Sequence, residues 1–174
     1  VGDTMTVRYL KESKSVVQRS KDDAKVRYIV EETLADIEKR GDAAIRDLSQ
    51  KFDNYFRPSY KLSPDEIESL IAEVAPRDIE DIKFAQTQVR RFAEAQRASM
   101  TDIEVETMPG VILGHKTIPV QSVGCYVPAG RFPMVASAHM SVVTAAVAKV
   151  PRIVASTAPF NGKPNAAVIA AMHM

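Results

Sequence analysis

The chain has 174 residues, of which 45% are hydrophobic and 26% charged, an ordinary globular mixture that excludes a disordered chain, a collagen-like repeat and a disulfide scaffold. There are 23 Lys and Arg against 22 Asp and Glu, so the net charge of +1 provides no bulk attraction to nucleic acid or to an anionic membrane. The single cysteine, Cys125, cannot form an internal disulfide, and the N-terminal residues lack the apolar run of a signal peptide. We therefore expect a cytoplasmic protein without a membrane span.

The first hundred residues predict a series of helices. One runs through residues 22–40 and stops at Gly41, and a shorter helix follows it as far as Phe52. Ser63-Pro64-Asp65-Glu66 is a capping box that opens a third helix, and Pro76 opens a fourth. The apolar residues of the first helix recur at helical spacing and are Val26, Ile29, Val30, Thr33, Leu34 and Ile37.

After Met100 the apolar period shortens to two, which indicates strands. The Pro109-Gly110 turn predicts a hairpin, and residues 123–127 predict a short buried strand. A helix is expected from about Ser137 to Lys149, with Ser137 acting as its cap. A second strand over residues 152–157 and a helix that begins near Asn165 complete a β-α-β-α unit, which is typical of parallel sheets.

Charge divides the sequence in the same way. The last carboxylate is Glu106, and residues 121–174 hold four bases and no acid. Because such a segment cannot present an ordinary solvated face, we expect its strands to be buried on both sides. The fold class is therefore α/β: a charged helical region (1–100), a hairpin or extended connection (101–122) and the start of a Rossmann-like parallel unit (123–174). Since two parallel strands are too few to stand alone, we expect the chain to be the N-terminal part of a longer protein.

The histidines and the cysteine give weak signals for chemistry. His115, His139 and His173 do not have a metal-ligand spacing, and structural positions at a strand end and in helices, with a satisfied ring nitrogen, are the favoured interpretation. Cys125 lies within an apolar strand, so an inert core thiol is favoured over a nucleophile. We expect no metal ligand and no catalytic residue within this chain.

The loop after residues 123–127 is the candidate ligand site. Tyr126 offers a ring and a hydroxyl, Gly130 allows a ligand to approach the backbone, and Arg131 could pair with an anionic group. Two structural alternatives stay open: a half-buried core aromatic at Tyr126 beside a simple turn, and a solvent-exposed loop arginine at Arg131. The glycines are too scattered for a G-x-G-x-x-G fingerprint.

These segments together resemble a known family. The run GCYVPAGR (124–131), the following SAHMSVVTAAVAKV (137–150) and the upstream DIEKRGDAAIRDLSQKFD, VRRFAEAQ and PGVILGHKTIPVQSVGCYVP are similar, in the same order, to the histidinol dehydrogenase family. The resemblance covers nearly all of residues 6–174. Ala129, His139 and the SVVT stretch that starts at Ser141 depart from the biosynthetic members. The sequence GHK-x-IPV-x-x-x-GCYVP is closer to a branch of the family that oxidises a sulfonated propanediol.

The resemblance implies a homodimeric, zinc- and NAD-dependent dehydrogenase that converts a primary alcohol, L-histidinol or a similar polar alcohol such as sulfopropanediol, through the aldehyde to the carboxylate. Tyr126 matches the family tyrosine that contacts NAD, and Gly130 and Arg131 line the same loop. The family's zinc ligands and general base fall in its later half, beyond residue 174. The piece is therefore expected to be inactive alone. The rival hypothesis is a non-catalytic α/β module for oligomerisation or ligand binding.

Overall fold

A computed structural model describes residues 11–174, and the ten residues before them lie outside the described part of the chain. The described residues up to Leu48 form one compact unit, and Ser49–Met174 form a second. The helices are α1 (Val16–Arg40), α2 (Asp42–Asp53), α3 (Pro64–Ala72), α4 (Pro76–Ala98), α5 (Val135–Ala138), α6 (Thr144–Val147) and α7 (Ala166–His173). The strands are β1 (Ile103–Met108), β2 (Val111–His115), β3 (Ser122–Val127) and β4 (Arg152–Thr157). None of the helices among these residues combines the length and apolar content that crossing a bilayer requires.

The first unit contains α1 and most of α2. Ser15 caps α1, since its side-chain oxygen accepts a hydrogen bond from the backbone N–H of Gln18 at 3.2 Å. Gly41 ends the helix as predicted, with a φ of +57° that favours glycine and a 2.7 Å bond from its N–H to the Ile37 carbonyl. The helix starts six residues before the predicted position, because apolar spacing shows where a stripe begins and not where the backbone turns begin.

Local signals account for the start of α3. The Ser63 side chain accepts from the Glu66 N–H at 3.2 Å, and the Glu66 carboxylate accepts from the Ser63 N–H at 2.8 Å, so the predicted capping box is confirmed. Glu66 also pairs with Arg57. The Ser63 N–H and the Arg57 guanidinium both lower the pKa of the Glu66 carboxyl.

The hydrophobic core of the second unit forms where α4, α7 and the β3 region pack together. Its buried members are Ile82, Val127, Ala138, Val168, Ala170 and Ala171, and half-buried residues of α3 such as Ile71 pack against them. The Gln86 side chain crosses this core and donates to the Ala171 carbonyl at 3.0 Å, which ties α4 to α7. The uncharged sequence of α7 is thus explained by its burial among other helices.

Strands β1 and β2 form the predicted hairpin. They pair antiparallel, with Ile103 opposite His115, around the turn at Gly110, whose φ is +82°. Every residue of both strands is exposed in this chain. An isolated two-stranded ribbon is marginal in water, so the hairpin gains little of its stability from burial here.

Strands β3 and β4 pair in parallel, as the α/β prediction requires, with Ser122 level with Arg152 and Val127 level with Thr157. The helical segment between them makes the crossover. The prediction that these strands are buried on both faces, however, is wrong for the described residues. In β3 only alternate residues, Cys125 and Val127, are buried, while Tyr126 on the other face is exposed. The low charge of the segment therefore reflects one packed face in this chain and one open face.

The crossover helix corrects two expectations. It starts at Val135 after Met134, so Ser137 lies inside its first turn and does not cap it. Between α5 and α6 the backbone widens into a π-helical turn over His139–Val143. The Ser141 hydroxyl donates to the Ser137 carbonyl at 2.7 Å, and the Thr144 hydroxyl donates to the Met140 carbonyl at 2.6 Å. These bonds satisfy carbonyls along a ladder that the π turn has disturbed.

Candidate functional site

The candidate site lies at the carboxyl end of the parallel strand pair. Tyr126 is the penultimate residue of β3, and its side chain is 64% exposed, although Cys125 and Val127 on either side are buried. The strand alternation therefore directs the Tyr126 side chain to the opposite face from Cys125 and Val127, where it is open to solvent. A half-buried core aromatic, the structural alternative, is not what the structure shows at Tyr126.

The loop after β3 is fixed at both ends. The Met134 N–H donates to the Pro128 carbonyl at 3.0 Å, and the Thr157 hydroxyl of β4 donates to the Val127 carbonyl at 2.7 Å. Ala129 is almost fully buried, so its methyl group anchors the loop. The alanine at this position thus has a packing role in this chain.

Gly130 and Arg131 lie on the outer side of the same loop, and both are exposed. A Cβ atom at Gly130 would meet only the Ala158 methyl, at an ordinary contact distance of 3.9 Å, so packing within the described chain does not require glycine there. Its effect is to leave the loop backbone open to a ligand. Arg131 makes no ion pair with any described residue, which leaves its guanidinium available to an anion.

Two further residues of this region were missed by the sequence analysis. Ser156 of β4 is level with Tyr126 in the parallel register and is exposed on the same face. Phe132, next to Arg131, is exposed as well. The alternation of RIVAST could have indicated the outward position of Ser156. The pairing of Ser156 with Tyr126, however, depends on the β3–β4 register, which cannot be read from the sequence alone.

The exposed groups of this loop are of the types that dinucleotide sites use. The exposed Tyr126 ring offers a surface for stacking, the Arg131 guanidinium offers a fork for phosphate, and the open backbone at Gly130 allows close approach. The helix that starts at Val135 has no side-chain cap, and the Ser137 N–H of its first turn donates to the Met134 carbonyl at 2.9 Å. All of these features are contiguous in the chain between β3 and α5.

The histidines lie apart from this loop. His115 ends β2, where its Nε2 is 3.1 Å from the Thr101 carbonyl, and His173 is the exposed last residue of α7. His139 is only 5% exposed, and burial lowers its pKa. Its Nδ1 has no hydrogen-bond partner among the described residues, so the expectation of a satisfied ring nitrogen is wrong at His139. His139 is the first residue of the π-helical turn.

Metal ligands do not come together in this part of the chain. Within residues 11–174, no three side chains of the His, Cys, Asp and Glu types are placed to hold an ion. Cys125 is buried in β3, as the prediction of a core thiol requires. The described residues therefore provide no complete donor set for a metal ion.

Comparisons with known proteins agree with the resemblance seen in the sequence. The family model described as histidinol dehydrogenase matches residues 16–174. A histidinol dehydrogenase homolog from Shouchella clausii is 52% identical over 95% of this chain, and a sulfopropanediol 3-dehydrogenase from Ruegeria pomeroyi is 47% identical over 98% of it.

The fold is also similar to that of a solved histidinol dehydrogenase. A crystal structure of histidinol dehydrogenase from Elizabethkingia anophelis superposes with a TM-score of 0.77 and 25% identity, and covers 95% of this chain. The chain spans 39% of the length of the two sequence relatives and 36% of the crystallised protein. Since the family model matches nearly the whole sequence, the chain belongs to the histidinol dehydrogenase family.

Proposed function

We propose that this chain forms the NAD-side part of a dehydrogenase that oxidises a primary alcohol, through the aldehyde, to a carboxylate. The observation that carries the proposal is the exposed Tyr126 loop, set at the carboxyl end of β3 in a chain of this family. Ligands of open parallel sheets bind at this end of the strands. The complete reaction is a proposal for the whole protein, since the chain spans 39% of its relatives' length.

The roles of the loop residues follow from their exposure. Tyr126 would stack on a flat ring of the dinucleotide, Arg131 would bind a phosphate, and Gly130 would let the pyrophosphate approach the backbone. Bound NAD supplies a hydride acceptor, and two NAD molecules are needed for the four-electron oxidation of an alcohol to an acid. The task of this chain in that reaction is to hold and orient the dinucleotide.

Zinc and the general base belong to the same proposal but not to these residues. The described side chains offer no donor set for the ion, so no catalytic step is assigned to any of them. We propose that polypeptide corresponding to the rest of the family's length supplies both groups. The 174-residue chain alone is then expected to produce no NADH from any alcohol.

The substrate is proposed to be a small polar alcohol of the sulfopropanediol type. The identity of 47% to the sulfopropanediol 3-dehydrogenase, against 32–36% to three histidinol dehydrogenases, supports this choice over L-histidinol. A homodimeric, cytoplasmic enzyme is part of the proposal, and the single buried thiol supports a reducing compartment.

Tyr126→Ala tests the site directly. Loss of one stacked ring is expected to raise the dissociation constant for NAD by about tenfold, the typical value for a base–aromatic stack. The measurement is a calorimetric titration of NAD into each variant. Tyr28→Ala is a matched control because Tyr28 is also 64% exposed but lies on α1. An unchanged NAD affinity in the Tyr126 variant would remove this residue from the site.

The class of protein needs a second assay. NADH formation from sulfopropanediol or histidinol by the full-length protein, abolished by a chelator and restored by zinc, is expected of the dehydrogenase. A non-catalytic module would bind a ligand or a subunit and form no NADH under any of these conditions.

A further inference from the structure

The loop between β4 and α7 contains a tight turn built on the only Asn-Gly pair of the sequence. Phe160 and Lys163 are bonded to each other across this turn, through the Phe160 N–H at 2.8 Å and the Lys163 N–H at 3.3 Å. The two residues between them have positive φ angles, +51° at Asn161 and +76° at Gly162, as a type I′ turn requires. Both residues are exposed at the tip of the turn.

The two residues at this tip can react with each other. A bond between the Gly162 nitrogen and the Asn161 Cγ closes a five-membered ring, and glycine has no Cβ atom to shield its nitrogen from such a bond. Nothing lies within 4 Å of the position that a Cβ atom would take at Gly162. Within residues 11–174, neither the Asn161 side chain nor the Gly162 N–H takes part in a hydrogen bond. Both reacting groups are therefore free of restraint by their neighbours in the described chain.

The other two asparagines of the chain are held by hydrogen bonds. Asn54 also has a positive φ, +48°, but its Oδ1 accepts from the Gln50 side chain at 2.8 Å. The residue after it is Tyr55, whose side chain hinders attack by the backbone nitrogen and whose N–H is already bonded to a carbonyl. Asn165 is half-buried, and its Oδ1 accepts from the Val168 N–H at 3.1 Å as the cap of α7. The chain thus contains one unrestrained asparagine, the one before glycine, and two restrained ones.

We propose that Asn161 is a site of spontaneous deamidation, in which the Gly162 nitrogen displaces ammonia from the Asn161 side chain. The nitrogen bonds to Cγ, the Cγ–Nδ2 bond breaks, and the proton of the Gly162 N–H passes through water to the departing amide group. Water then opens the resulting succinimide at either of its two carbonyl groups and leaves aspartate or isoaspartate. One water molecule is consumed and one ammonia is released, so the reaction needs no oxidant, reductant or cofactor. This inference does not depend on the proposed function.

Each product changes the turn in a different way. Aspartate tolerates a positive φ almost as well as asparagine, so this product adds a negative charge and leaves the backbone as it is. Isoaspartate lengthens the backbone by one carbon atom inside a turn whose geometry depends on having two residues. We therefore expect the isoaspartate product to break the bonds between Phe160 and Lys163. The altered turn lies in the same loop as Ala158, whose methyl group faces Gly130 of the candidate site.

Peptide mapping of the purified protein tests this assignment. The protein is incubated at neutral pH beside a synthetic peptide of residues 158–164, and mass spectrometry of the digest follows the exchange of amide NH2 for OH at each asparagine. Exposed turn tips open with a small free energy, so Asn161 in the protein should convert within roughly an order of magnitude of the peptide rate. Asn54 and Asn165 should keep their amides over the same time. Enzymatic methylation of the new carboxyl group identifies the isoaspartate product.

Three variants separate the chemistry of the turn from general effects on the fold. Asn161→Gln keeps an amide at the tip but lengthens the side chain, so conversion at this position should be lost. Gly162→Ala places a Cβ atom beside the attacking nitrogen and should slow conversion several-fold. Gly110→Ala is the matched control, because Gly110 also has a positive φ, +82°, and open space around its Cβ position, but lies in the β1–β2 turn. It should leave the rate at Asn161 unchanged.

Two outcomes would overturn the inference. An Asn161 amide that stays intact in the protein while the peptide converts would mean that the turn protects this residue. Equal conversion at all three asparagines would mean that neither the following residue nor the hydrogen bonds at Asn54 and Asn165 select the site.

Failure here is distinguishable from failure of the proposed function, because the mass measurement involves neither NAD nor an alcohol. A protein that binds NAD through Tyr126 and keeps the Asn161 amide would remove the modification site and leave the dehydrogenase proposal in place. A protein that converts at Asn161 and does not bind NAD would do the opposite.

Discussion

Helices α1 and α4 have nearly the same length and a similar sequence pattern, but only α4 has buried residues. They span 25 and 23 residues, and each carries apolar residues at helical spacing between charged ones. Ile82, Gln86 and Ala93 of α4 are buried, whereas no residue of α1 is. Apolar period therefore identifies a helix and the face that needs cover, but it does not identify the polypeptide that covers it.

The buried residues of α4 are explained by the helices that pack against it. The uncharged α7 and the π turn after α5 pack against α4 within the same compact unit. Four residues of α7, from Val168 to Ala171, are buried as a result. Helix α1 lacks a comparable cover among the described residues, so its apolar residues stay exposed in this chain.

The largest expected effect comes from truncating the same residue type on each helix. Ile82 of α4 is 5% exposed and Ile29 of α1 is 51% exposed. Ile82→Ala should lower the free energy of unfolding by about 2–5 kcal/mol, through lost burial and a residual cavity. Ile29→Ala should change it by less than about 1 kcal/mol in the single chain, since about half of that side chain is already in water. Urea unfolding at low protein concentration measures both.

The comparison would fail if the two truncations had equal effects. Equal losses at low concentration would mean that α1 is covered within the single chain. A loss at Ile29 that grows with protein concentration would instead report its burial between copies, because association stabilises only the folded dimer.

Local signals in the sequence were sufficient for much of the fold. The capping box at Ser63, the glycine stop at Gly41 and the Pro109-Gly110 turn each act through a few neighbouring atoms, so the structure confirms them. The predicted cap at Ser137 was wrong because the helix starts two residues before it, at Val135. Nothing within a few residues fixes that boundary, which depends on how the Pro128 loop closes onto Met134.

Local signals also predicted the part of the candidate site that is contiguous in the sequence. Tyr126, Gly130 and Arg131 are contiguous, so a strand followed by a turn was enough to group them. Ser156 is thirty residues away from Tyr126 and reaches it only through the β3–β4 register. The open face of β3 also escaped prediction, because a low-charge sequence does not state which of its faces is packed in a given chain.

A smaller effect is expected from the hydrogen bond that joins α4 to α7. Gln86→Ala removes the donor to the Ala171 carbonyl and leaves that buried oxygen without a partner. The expected loss is about 1–3 kcal/mol of unfolding free energy, the usual range for a buried unsatisfied group. Gln88→Ala, an exposed glutamine on the same helix, is the matched control and should be nearly neutral. If both substitutions cost the same, the bond contributes nothing beyond helix propensity.

The smallest expected effect is a pH dependence of the free energy of unfolding that arises from His139, in the π turn that packs against α4. Burial lowers the pKa of His139 below its ordinary value of 6.5, so the unfolded chain binds a proton more readily than the folded chain. The free energy of unfolding should therefore fall as the pH decreases from about 7 to about 5, with a slope no steeper than the 1.4 kcal/mol per pH unit of one full proton. His139→Gln should flatten this slope, and His173→Gln, at an exposed position, should not.

The same titration distinguishes the two helices. On α1, the Arg40 guanidinium lowers the pKa of the Asp36 carboxyl, so the stability that this pair adds is present above the ordinary value of 3.8 and is lost only as the pH falls below it. The two groups thus act in separate pH windows. Unfolding curves at pH 7, 5 and about 3 should show the His139 contribution lost first and the Asp36 contribution lost later. A His139→Gln variant that retains the full slope between pH 7 and 5 would mean that protonation of this ring is not coupled to the packing against α4.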